Sequence, residues 1–96
     1  MPELRLPKEI KRLVRTLKNE LSADVDVELV PSSVAFPNRY RLAIVSAKFE
    51  PMTHLKRQDL VWEIIDRVLD REQSLAVSMI LAFSPREMEP LSKQKS

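Results

Sequence analysis

The period of the apolar positions changes repeatedly along the chain. From Pro7 to Leu21 they recur at Ile10, Leu13, Val14, Leu17 and Leu21, the spacing of one helix face. This predicts a first helix from Pro7 or Lys8 to Leu21, with proline where its missing amide costs no bond. From Asp24 to Val30 the period drops to two. Asp24, Asp26 and Glu28 alternate with Val25, Val27 and Leu29, as in a strand with an acidic outer face. Pro31 ends it, and the loop to Asn38 carries Phe36. Arg39 to Ser46 alternates again. Tyr40, Leu42 and Ile44 fall on one face, and Arg39, Arg41, Ala43 and Val45 on the other. Helical spacing returns at Leu60, Val61, Ile64, Ile65, Val68 and Leu69, opposite Asp59, Glu63, Asp66, Arg67 and Asp70. This predicts a long helix from Thr53 or Lys56 to Arg71, with Thr53 as N-cap. Glu72, Gln73 and Ser74 mark its exit. Leu75 to Phe83 alternates large side chains at odd positions with mostly small ones at even positions. The expectation is a strand burying its odd face and leaving a nearly flat even face. Pairing should stop near Pro85, which has no amide to donate.

Strands close in sequence pair most simply as antiparallel neighbours, and a helix returning the chain favours a parallel partner through a right-handed crossover. The expected fold class is therefore α+β: two layers, order αββ(α)αβ, a three-stranded mixed sheet with the helices on one face. Residues 1–91 read as a single domain and 92–96 as a flexible polar tail. A hydrophobic content of 44% with 31% charged residues suits such a domain. Nothing near the start has the apolar core of a signal peptide, and no run approaches ~20 apolar residues. The reading is a cytoplasmic protein without a membrane partner.

Two absences narrow the chemistry. The chain has no cysteine, which excludes disulfides, thiolate metal sites and cysteine nucleophiles. It has no glycine either, which excludes phosphate-cradling loops, dinucleotide-binding turns and the GxxG loop of KH domains.

The stretch Val45-Ser46-Ala47-Lys48-Phe49, the helix opening Lys56-Arg57-Gln58-Asp59-Leu60-Val61-Trp62 and the exit Phe83-Ser84-Pro85-Arg86-Glu87 resemble the BolA family over residues 39 to 91. In that family a strand ends in Val-Ser with Phe three residues later, an Arg-His-Arg run opens the long helix, and the last strand leaves through Thr-Pro-x-Glu. The resemblance implies a KH-like fold of type II and a regulatory protein that binds rather than catalyses. It also assigns the family's last-strand histidine, which ligates an iron–sulfur cluster shared with a glutaredoxin, to Ala76. Soft metal centres need thiolate or imidazole donors. The single histidine, His54, matches no ligand position of the family, so no metal and no cofactor are expected.

One histidine and no Ser-His-Asp spacing leave no catalytic constellation, and the chain is read as a non-enzyme without a small-molecule substrate. Two binding classes stay open. A protein adaptor would use the flat face of the last strand, around Ala76, together with Phe36 and a part-exposed Trp62. A nucleic-acid regulator would use the basic turn and helix start: Arg39, Arg41, Lys48, Lys56 and Arg57 stand between residues 39 and 57 against Glu50 alone. Cross-strand pairing of Arg39 and Arg41 with the acidic strand competes with that use. Reversal of Lys56 and Arg57 is expected to leave the fold intact. A monomer or weak dimer is expected.

Overall fold

The computed structural model describes residues 6–30 and 39–88. Helix α1 spans Lys8–Leu21, strands β1 and β2 span Asp24–Val30 and Arg39–Val45, and a short 3-10 turn spans Ala47–Phe49. Helix α2 spans His54–Val68, α3 spans Arg71–Ser74 and β3 spans Val77–Phe83. The loop bearing Phe36 and the tail 92–96 lie outside the described residues.

The sheet order is β1-β2-β3. β1 pairs antiparallel with β2, and β3 pairs parallel with β2, as the connection lengths predict. Ile10, Leu13, Leu17 and Leu21 from α1, with Val61, Ile64 and Ile65 from α2, pack on Tyr40, Leu42 and Ile44 of β2. Each large side chain taken fully out of water there contributes roughly 1.5–3 kcal/mol. Among the described residues no helix is long and apolar enough to cross a membrane.

The ends of α1 and α2 are held by local chemistry. Pro7 precedes α1 and its carbonyl accepts from the amides of Ile10 and Lys11. Ser22 stops the helix in the left-handed region, at φ 49 and ψ 45, a position glycine usually takes. The Thr53 hydroxyl accepts from the Lys56 amide at 3.2 Å, capping α2 as expected.

The long helix stops earlier than its sequence suggested. Leu69 leaves the helical conformation, and Asp70 starts α3 instead of extending α2. The Asp70 carboxylate accepts from the Gln73 amide at 2.7 Å, while the Gln73 side chain accepts from the Asp70 amide at 3.1 Å. This reciprocal cap turns the predicted exit, Glu72-Gln73-Ser74, into a helical turn of its own.

β3 departs further from its expected pattern. Tyr40 is opposite Val77, but Arg41 is opposite Met79, so Ser78 is the extra residue of a bulge. The side-chain alternation changes phase there. Val77 is buried before the bulge, whereas Ile80 and Ala82 are buried after it. The supposedly flat even face is core, and the large odd residues Met79, Leu81 and Phe83 lie on the other side of the sheet.

Candidate functional site

The residues of the family-like stretches meet at one edge of the fold. Ser46 ends β2 and is buried; its hydroxyl donates to the Leu21 carbonyl at 2.6 Å and accepts from the Lys48 amide. Phe49, three residues on, is fully buried. The Arg57 guanidinium lies 5.9 Å from the centre of the Phe49 ring. Its Nε donates to the Met52 carbonyl at 3.1 Å and its Nη1 to the Ala82 carbonyl at 3.2 Å. Nη1 and Nη2 also grip both Glu87 oxygens, at 2.6 and 3.0 Å. Glu87 in turn accepts from the Ser84 amide, and the Ser84 hydroxyl accepts from the Glu87 amide. Arg57 and the Ser84 amide hold the Glu87 carboxyl at about 2, well below its ordinary value.

This arrangement removes Arg57 from the anion-binding set. The side chain is 4% exposed with its donors committed inside the protein, and reversing it would strand the carbonyls and Glu87. The sequence carried one hint of this. Arg57 stands four residues before Val61, on the extension of the buried stripe. Beside it, Gln58 Nε2 donates to the Ile80 carbonyl at 3.0 Å. Arg57 and Gln58 thus occupy two successive outward carbonyls of β3 and cover that edge.

The other sequence-selected cations are dispersed. Lys56 is exposed at the start of α2. Lys48 is exposed and its Nζ donates to the Glu20 carbonyl at 2.9 Å. Arg41 pairs with Glu28 across the β1–β2 ladder, as the cross-strand expectation had it, and Arg39 is half-buried at the start of β2. Of the adaptor residues, Trp62 and Ala76 are half-buried and packed against the core. The Ala76 carbonyl accepts from Tyr40 at the start of the β2–β3 ladder.

A surface that sequence reasoning missed lies on the side of the sheet that, among the described residues, no helix covers. Residues paired across a ladder share a face, so the register gives its layout. Asp24, Val45 and Phe83 form one row; Asp26, Ala43 and Leu81 form the next; Glu28, Arg41 and Met79 form the third. Met79 is 49% exposed and Leu81 and Phe83 are half-buried, with Met88 exposed beside Phe83. The surface is graded across the strands, acidic on β1, small or paired on β2 and apolar on β3. The signal in the sequence was Ile80, the one large residue at an even position of the last strand.

The donor set does not fit an iron–sulfur centre. Ala76, at the position that the resemblance assigns to the ligand, offers only a methyl group. Among the described residues no three of His, Asp and Glu are grouped to hold a metal ion. His54 is exposed at the first turn of α2.

No protein-family model matches the chain, and no curated protein matches it either. Solved structures do. BolA1 from Arabidopsis thaliana aligns at 25% identity and TM-score 0.65, covering 85% of this chain and 98% of that one. The BolA domain of SufE1 from Arabidopsis thaliana aligns at 25% identity and TM-score 0.67, covering 86% and 99%. The solution structure of BolA1 protein from Mus musculus shares the fold at 22% identity and TM-score 0.71, covering 96% and 77%. In element order, in sheet topology and in its structural neighbours, this chain is similar to BolA proteins and shares their α+β fold.

Proposed function

We propose that this BolA-like chain is a non-enzymatic adaptor that binds a protein partner on the open face of its sheet. The observation that carries the reading is the row Met79, Leu81 and Phe83 standing away from the core on β3. A contiguous apolar strip on an ordered sheet contributes nothing to the core it faces away from, and such strips mark interaction surfaces. Pairing of a partner strand along β3 is disfavoured, because Gln58 and Arg57 already occupy its outward carbonyls.

The nucleic-acid alternative loses part of its basis. Of the five selected cations Arg57 is internal and Arg41 faces Glu28, which leaves Arg39 half-buried at the start of β2 and only Lys48 and Lys56 at the turn. Asp24 and Asp26 on the open face would repel a phosphate backbone.

The test compares captured partners. The full chain and its Met79→Gln/Leu81→Gln variant are immobilised and exposed to cell extract, after thermal melts establish that both are folded. A protein retained by the first and lost by the second supports the adaptor reading. Identical captures by both, or retention of nucleic acid alone with a steep salt dependence, overturn it.

A further inference from the structure

We infer that the open face receives an amphipathic helix of a partner protein, with lysine or arginine along the flank that meets β1. The inference rests on the adaptor reading of this face and specifies what the face recognises.

The face is graded across its strands. Two of the three rows run from a carboxylate through a small or medium apolar residue to a large apolar one: Asp26–Ala43–Leu81 and Asp24–Val45–Phe83. Ala43 in the middle leaves a trough between the β1 carboxylates and the β3 side chains. Two depressions, of about 320 and 180 Å³, share Asp26 and Ala43 and so continue into one another along the strands. A trough with one acidic wall and one apolar wall matches an element whose surface divides the same way.

The face also has the dimensions of a single helix. The outer strands of a three-stranded sheet lie about 10 Å apart, close to the diameter of one helix with its side chains. Met79 to Phe83 spans about 13 Å along the strand, the length of about nine helical residues. Apolar side chains at i, i+3 or i+4, and i+7 would meet Met79, Leu81 and Phe83 in turn.

Charge selects the flank of that helix. Glu28 is matched by Arg41 within the chain. Asp24 and Asp26 have no ion pair among the described residues. Their spacing of about 7 Å along the strand is close to the separation of two cations one helical turn apart. A helix with an acidic flank would place like charges against them.

The test uses synthetic helical peptides of about 14 residues sharing one apolar stripe and carrying lysine, glutamine or glutamate along one flank. Each is titrated into the full chain, and binding is followed by amide chemical-shift mapping. Shifts confined to β1, β2 and β3 residues of the open face are expected with the lysine peptide, which should bind about tenfold more tightly than the glutamate peptide. In an Asp24→Asn/Asp26→Asn variant that advantage should vanish while affinity for the glutamine peptide stays unchanged. Equal affinity of lysine and glutamate peptides at the open face overturns the helix-flank inference and leaves the adaptor reading standing. Absence of open-face shifts with all three peptides overturns both. Self-association of the chain through this face, seen as concentration-dependent shifts without peptide, overturns the inference by making a second copy the occupant.

Discussion

Arg41 and Leu42 are neighbours in one strand, yet they belong to two different surfaces. On the covered side of the sheet every β2 residue is closed off by α1 and α2, and Leu42 and Ile44 are wholly buried. On the open side the same strand offers Arg41, Ala43 and Val45 to whatever lies above it. Side-chain identity does not separate the two sides of β3: Ile80 is core while Leu81 is not. What separates them is which side the helices cover, together with the register that a single bulged residue sets. The first side determines whether the chain folds, and the second carries the proposed binding surface.

Truncation should divide the two sides sharply. Leu42→Ala is expected to destabilise the domain by about 3 kcal/mol, since the cavity is enclosed by both helices. Leu81→Ala should cost under about 1 kcal/mol, because solvent already reaches that position. Chemical denaturation of both variants measures the difference. Equal losses would mean that the open face is internal to the folded protein.

Arg57 extends the comparison to charged groups. It is a cation serving the covered side: it neutralises Glu87, satisfies the Met52 and Ala82 carbonyls and faces the Phe49 ring. Arg57→Ala should cost about 2 kcal/mol by leaving buried acceptors unpaired. Lys56→Ala, one position earlier and exposed, should leave stability nearly unchanged. Denaturant midpoints of the two variants would test this, and a silent Arg57→Ala would show that the bonds contribute nothing net.

Much of this fold could be read directly from period. The stripes of α1 and α2, the strand alternation of β1 and β2 and both pairing directions follow from spacing and connection length. The Val-Ser-x-x-Phe and Ser-Pro-x-Glu stretches also pointed to the BolA-like fold, although their residues turn out to lock an edge of it. Two things escaped. Arg57 looked like a surface cation because its partners, Ala82 and Glu87, stand 25 and 30 residues away, beyond any local pattern. The phase of β3 escaped because a bulge is a property of pairing between strands, and one extra residue exchanges the two faces.

The Glu87 carboxylate gives the covered side a pH signature. Its value in the fold is about 2 against an ordinary 4.5, chiefly through Arg57 and then the Ser84 amide. A group whose value is lowered by folding stabilises the fold fully above its unfolded value and loses that contribution as pH falls toward the folded one. Stability of the unaltered chain should therefore decline between about pH 4.5 and 2. Glu87→Gln should be less stable at neutral pH and should decline less steeply on acidification. Glu20, lowered by its bond to Arg67, keeps part of the acid dependence in the variant. Urea midpoints of both proteins across this range decide the matter, and parallel curves would remove Glu87 from the account.

The smallest effect comes from making the same change on the other side. Glu28 also pairs with an arginine, Arg41, but both side chains are well exposed, at 61% and 41%. Water screens such a pair and each partner is hydrated when separated, so Glu28→Gln should change stability by no more than about 0.5 kcal/mol. Its acid dependence should follow that of the unaltered chain. The consequence belongs to binding instead. Without Glu28, Arg41 presents an unmatched positive charge to the trough and should weaken a lysine-flanked helix by about twofold, through repulsion at one end. Titration of that peptide into the variant measures the effect. Unchanged affinity would mean that Arg41 lies outside the occupied part of the face, and would place the helix over the Asp24 and Asp26 rows alone.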